Sequence, residues 1–143
     1  MTSQQACNFF ADLVNAHGED NAVKLGLYAS YTWRHDAKHH FFTLARYKFC
    51  SKMLAGKEYV LDVGCGDGVG EPLLLQSIGK IHAVDINPVV IAYNRKHNSY
   101  SGRIIYEARN IIETPLEIRY DAAISLDVLE HICHENEDTL CVA

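Results

Sequence analysis

No run of apolar residues in this 143-residue sequence approaches the roughly 20 that a membrane-crossing helix needs, so a helical membrane protein is not the expected class. An excess of positive charge is also missing. Thirteen Lys and Arg stand against 18 Asp and Glu, and the formal net charge of −5 argues against a general nucleic-acid or membrane-surface binder. No signal-peptide pattern is present, and the five cysteines (Cys7, Cys50, Cys65, Cys133 and Cys141) are odd in number and scattered. They read as reduced thiols of a soluble, cytoplasmic protein, not as a disulfide framework. Internal repeats, low-complexity tracts and linker-like stretches are lacking too, so the chain reads as one domain or part of one. What is present is an ordinary globular composition, 48% hydrophobic and 22% charged, at a length that can bury a core.

Residues 4–17 read as a helix, with Phe9, Phe10, Leu13 and Val14 forming an apolar stripe. The stretch KLGLYASYTWRHDAKHH follows, rich in aromatic, histidine and basic residues and without a clean period. From Phe41 to Leu54 the helical pattern returns, with Phe42, Ala45, Phe49 and Met53 on one face. Short apolar runs then alternate with helical stretches: Tyr59–Val63, Ile81–Val84, Arg103–Tyr106 and Tyr120–Leu126. Asn87 before Pro88 predicts a capped helix start, and Arg95, Lys96 and His97 suit its negative end. Pro72 fits the first turn of the helix after the first strand. This alternation predicts an α/β fold with a parallel sheet, residues 1–56 being a helical cap and 57–143 the sheet-bearing domain. A parallel sheet of four strands ending near Ala143 leaves an edge uncovered, so the chain is expected to be the front of a longer protein.

The turn after the first run, VLDVGCGDGVG, carries Gly64, Gly66 and Gly68 between a strand and a helix. Glycine there lets backbone approach a ligand without an intervening Cβ, the usual nucleotide site of such sheets. The dinucleotide spacing G-x-G-x-x-G is absent, because Val69 and Glu71 stand where its third glycine would fall. Asp62 just before the loop is unfavourable for phosphate and suits a cationic group. Asp85 in AVDINP, about twenty residues on, sits where an acid bonds ribose hydroxyls. An adenosine with a positively charged tail satisfies both, and S-adenosylmethionine is such a molecule. A tight turn without a ligand, a loop-capping role for Asp62 and a helix-start role for Asp85 are the bland alternatives.

VLDVGCGDG, VDINP, ARNIIETPL and YDAAISLDVLEHI together resemble, in order and spacing, the class I S-adenosylmethionine-dependent methyltransferases over roughly residues 57–134. LEHI is similar to the quinone-biosynthesis O-methyltransferases and related small-molecule members. The resemblance implies a doubly wound Rossmann-like parallel sheet of strand order 3-2-1-4 with the family's remaining strands missing. It implies a cofactor site of Asp62, Gly64, Cys65, Gly66, Gly68, Asp85, Ile86, Asn110, Ile111, Ser125 and Leu126. Asn110 stands where an aspartate is commoner, and a plain turn role for it stays open.

The activity implied is methyl transfer from S-adenosylmethionine to a small-molecule or glycan-type acceptor, through an oxygen nucleophile. A non-catalytic binding or scaffold protein is the alternative, and a nicotinamide oxidoreductase lacks its glycine spacing. Asp127, Glu130 and His131 would share a helix face, with His134 a turn further. Some family relatives bind a divalent ion there, so that set is the one metal alternative to an expected absence of metal. His131 as general base and a merely packing role both stay open. His35, Asp36, His39 and His40, with Arg34, Lys38, Arg46, Lys48 and Lys52 nearby, read as a locally basic lid rather than a metal site. A zinc cluster of Cys133, His131 and His134 is a poor signal. Neither nucleic acid nor membrane is expected as a partner.

Overall fold

The computed structural model describes residues 2–18, 23–97, 100 and 102–133. Three helices come first: α1 (Ser3–His17), α2 (Leu27–His35) and α3 (Ala37–Met53). The α/β part then runs β1 (Tyr59–Val63), α4 (Glu71–Leu74), β2 (Lys80–Asp85), α5 (Pro88–His97), β3 (Ile104–Ala108) and β4 (Ala122–Ser125), followed by a 3-10 turn at Leu129–His131. The sheet is parallel throughout, in the order β3-β2-β1-β4, as the resemblance implies.

Local chemistry explains the helix starts. Thr2 and Gln5 form a reciprocal capping box on α1. Asp36 accepts from the His39 amide at 3.1 Å and starts α3 four residues ahead of the expected Phe41. Asn87 accepts from the Val89 amide at 3.0 Å, which fixes the start of α5 beside Pro88. The period-free stretch contains α2, which the sequence pattern did not announce.

Alternation along the strands sorts side chains to two faces. Val60, Ile81, Ala83, Ile104 and Tyr106 pack with Leu74, Leu75, Ile91, Tyr47 and Leu54, so α3, α4 and α5 all cover one face. Leu61, Val63 and Val84 face the other way and pack on Ile111, with Ile112, Leu116 and Tyr120 around them. Among the described residues that second face is covered by the irregular 109–121 segment. His82 helps hold that segment, its Nδ1 lying 2.6 Å from the Tyr120 hydroxyl and its Nε2 2.9 Å from Glu107. Burial lowers the His82 pKa, which favours the neutral ring that this arrangement uses. Asp121 accepts from the amides of Glu58 (2.8 Å) and Tyr59 (2.9 Å), tying the start of β1 to β4.

Two apolar stripes do not face this core. Phe9, Phe10, Leu13 and Val14 of α1 are exposed, and so are Phe42, Phe49 and Met53 of α3, which buries His40, Tyr47 and Ser51 instead. The helix expected to begin near Asp127 is also absent. Asp127 is the one non-glycine residue with positive φ (57°) among those described, and this turns the chain before only a short 3-10 turn forms.

Candidate functional site

The crevice lies beyond the carboxyl ends of β1, β2 and β4, where the 64–70 loop leaves the sheet. Gly64 and Cys65 donate to the Val84 carbonyl at 2.8 and 3.1 Å, folding the loop back over β2. Gly64, Gly66 and Gly68 have φ of 77°, 53° and 74°, a left-handed conformation that favours glycine. Their surroundings differ. A Cβ on Gly64 would strike Val128 at 2.1 Å, and one on Gly68 would meet the Tyr106 hydroxyl at 2.7 Å. A Cβ on Gly66 would meet nothing within 4 Å. Two glycines therefore answer to protein packing, and the third leaves bare backbone facing open space.

Four carboxylates surround this loop in different roles. Asp85 lines the crevice, one oxygen accepting from the Gly66 amide at 2.9 Å and the other from Asn87 at 2.8 Å. Asp67 accepts from the Ala29 amide at 2.7 Å, capping α2 from another element. Gly26 makes room for it, since a Cβ there would lie 2.2 Å from the Asp67 carboxyl. Asp67→Ala is expected to lower stability by about 1 kcal/mol and speed deuterium exchange at residue 29, while Asp67→Asn largely preserves both.

Asp62 corrects the sequence expectation that it touches the ligand. It is completely buried beneath the loop, on the strand face covered by α3 and α4, and the Tyr47 hydroxyl donates to it at 3.3 Å. Burial first, and then the Asp85 charge, push its pKa up to about 7 against the Tyr47 bond, which lowers it. Glu71, also fully buried, is held well above the usual carboxylate range by burial and by Asp62.

Two cavities meet at Gly64, Asp127 and His131. The first is lined by Asp85, Ile86, Asn110 and Ile111 together with Val128 and Arg109. The second is lined by Gly66, Cys65 and Leu126 with Tyr28, His39, Thr43 and Arg46 from the preceding helices. Most of the expected cofactor residues are thereby brought together. Gly68 and Ser125 line neither cavity: Gly68 opens towards Tyr106 on the far side of the loop, and Ser125 keeps its hydroxyl buried and unpartnered. Asn110 also serves its own turn, accepting from the Ile112 amide at 3.2 Å, so the turn reading of that residue holds alongside its place in the cavity.

Asp127, Glu130 and His131 do not share a helix face, because no helix forms there. Asp127 pairs with Arg46 of α3. Among the described residues no three His, Cys, Asp or Glu side chains gather as a metal site, including the His35–His40 stretch. His134 and Cys141 lie outside the described residues. Sequence reading missed Glu71 and the capping role of Asp67. An acid directly after the glycine loop, amid apolar neighbours, was the available signal for Glu71. Arg46 entered only as part of a basic lid, yet its Nε is buried and unpartnered at the second cavity.

A parallel sheet with an open glycine loop and a crevice acid on the second strand has the form of a nucleotide-binding domain without the dinucleotide spacing. Residues 60–142 match the family described as "Methyltransferase domain", and the chain belongs to this family, class I of the methyltransferases. Over 82 residues it is 30% identical to the mitochondrial ubiquinone biosynthesis O-methyltransferase of Schizosaccharomyces pombe, covering 54% of this chain and 30% of that protein. Over another 82-residue match it is 33% identical to the ubiquinone biosynthesis O-methyltransferase of Azotobacter vinelandii, covering 55% and 35%. The chain thus spans about a third of the length of these curated relatives. Similar folds include the N-methyltransferase NodS from Bradyrhizobium japonicum (TM-score 0.56, 19% identity, 76% of this chain and 58% of that one). Magnesium protoporphyrin IX methyltransferase from Synechocystis is another (TM-score 0.60, 20% identity, 71% and 50%).

Proposed function

We propose that residues 57–143 are the front of an S-adenosylmethionine-binding domain, with residues 1–56 as its helical cap, and that the whole protein transfers a methyl group to an oxygen of a small molecule. The observation that carries this is Gly66. Its missing Cβ faces open space at the second cavity, and its amide donates at 2.9 Å to Asp85, whose side chain borders the first. The carboxylates of Asp67 and Asp85 make the loop hostile to a pyrophosphate, and a sulfonium with an amino-acid tail suits that field.

The residues fit the cofactor in three places. Asp85 is set to accept from ribose hydroxyls. Ile86, Asn110 and Ile111 supply an apolar slot with an amide for the adenine. Arg46 is the one lysine or arginine at the second cavity, paired there with Asp127, and its guanidinium would meet the tail carboxylate from that position. When bound, S-adenosylmethionine supplies an electrophilic methyl group, so the protein's share is alignment and exclusion of water. His131 borders both cavities, which supports it as the group that would accept the acceptor's proton. The printed O-methyltransferase names of the two curated relatives support oxygen as the nucleophile.

The test is transfer of tritiated methyl from S-adenosylmethionine to organic-extractable small molecules of a cell extract, using the full-length gene product. Label in that fraction, lost in Asp85→Asn together with roughly a tenfold or greater fall in cofactor affinity, is expected. Label confined to protein, or none, would overturn the small-molecule reading.

A further inference from the structure

The chain's net charge hides a local reversal. Between residues 24 and 57 stand seven lysines and arginines against a single acid, Asp36, in a protein of net charge −5. Asp36 is occupied in capping α3, and Arg46 is occupied by Asp127. Lys38, Lys48 and Lys52 of α3 take part in no ion pair among the described residues.

These lysines share the outward side of α3 with large apolar groups. At 100° per residue, Lys38, Lys48 and Lys52 fall beside Phe41, Phe42, Phe49 and Met53, opposite the buried His40, Tyr47 and Ser51. Phe42 is 55% exposed, Phe49 64% and Met53 67%. The patch continues onto α2 through Trp33, half exposed, which stands 5.6 Å from the Phe41 ring. The Lys38 ammonium lies 5.7 Å from the Phe42 ring centre.

Lysines among exposed apolar rings, with a tryptophan beside them, is the pattern of a surface lying in a membrane interface. The apolar rings enter the headgroup–acyl boundary and the lysine stems extend to anionic phosphates. An acidic protein partner would need to bring its own groove, because this is the outer side of surface helices. The apolar stripe of α1 has no acid matched to the lysines beyond Asp12. We propose that the outward face of α2 and α3 docks the protein on a membrane surface containing anionic lipid. No membrane-spanning helix is required, and none is present among the described residues. The surface lies outside residues 60–142, so the family match does not supply it. Nor does it depend on methyl transfer.

Trp33 is the only tryptophan of these 143 residues and lies inside the patch, so its emission is read as the difference between the protein and its Trp33→Phe variant. The full-length protein is titrated with phosphatidylcholine vesicles containing about a third phosphatidylglycerol, following tryptophan emission and co-sedimentation. A blue shift with sedimentation is expected, lost in pure phosphatidylcholine and weakened by salt. The double variant Lys48→Glu/Lys52→Glu should partition at least about tenfold less, since each lysine near an anionic surface is worth roughly fivefold. Phe42→Ser/Phe49→Ser should bind weakly while melting at the wild-type temperature, because both rings are already exposed. No vesicle binding by wild type, or binding unchanged in both variants, overturns the proposal. So does absent binding combined with a lowered melting temperature or a lost dimer in Phe42→Ser/Phe49→Ser, which would give the face to α1 or a second copy.

Discussion

A methyl group added at Gly66 is expected to cost far more in cofactor affinity than in stability. Gly66→Ala places a Cβ in a left-handed residue (φ 53°), a strain of about 1–2 kcal/mol, and meets no protein atom within 4 Å. The space it takes is the space assigned to the ligand. S-adenosylhomocysteine binding should weaken by about a hundredfold or more, near 3 kcal/mol, while the protein still melts cooperatively. Gly64→Ala is the contrasting variant. It carries the same strain and also drives into Val128 at 2.1 Å, so its stability loss should be the larger, about 2–4 kcal/mol. Thermal melts set beside titration calorimetry separate the two. Equal stability losses with unchanged affinity would remove the ligand reading of Gly66.

The buried acids beneath the loop set the second large effect. Asp62 has its pKa pushed up to about 7, and Glu71 is raised well above its ordinary value, both chiefly by burial. A carboxyl raised in the folded state contributes stability that is complete below its unfolded pKa, near 4. That contribution is lost as pH climbs through the folded value. For Asp62 the window runs from about pH 4 to 7, and for Glu71 it extends in the alkaline direction. Melting temperature should therefore fall between pH 5 and 8, with Asp62 alone contributing on the order of 3 kcal/mol of loss in that interval. Glu71→Gln keeps the shape without the charge. It should raise the melting temperature at pH 8 by several degrees and flatten the pH dependence, with little change at pH 5. A melting curve of Glu71→Gln that tracks wild type at both pH values would contradict the buried-acid account.

Much of the architecture was legible because the signals were local. Strand runs, Asn87–Pro88 and the glycine cluster each depend on a few neighbouring residues, and β1 begins and ends where the apolar run Tyr59–Val63 does. The readings that failed depend on contacts distant in sequence. Asp62 was assigned to the ligand because it precedes the loop, but strand alternation turns it under the loop against Tyr47. The stripe Phe42–Phe49–Met53 has helical spacing, yet α3 packs through the more polar Tyr47, Ser51 and His40. Asp67 looked like filler between glycines and instead caps a helix 38 residues upstream. The helix expected from Asp127 gave way because Val128 fills the space over Gly64, which needs a turned backbone at Asp127.

The central claim is that bare backbone at Gly66 opposite Asp85 is shaped for an adenosine derivative with a cationic tail. Isothermal titration of the full-length protein with S-adenosylhomocysteine, and in parallel with NADH, tests it most directly. Saturable binding of S-adenosylhomocysteine in the micromolar range, abolished in Gly66→Val and not matched by NADH, is the predicted result. No heat at millimolar S-adenosylhomocysteine from a cooperatively folded sample, or tighter binding of NADH, would contradict it.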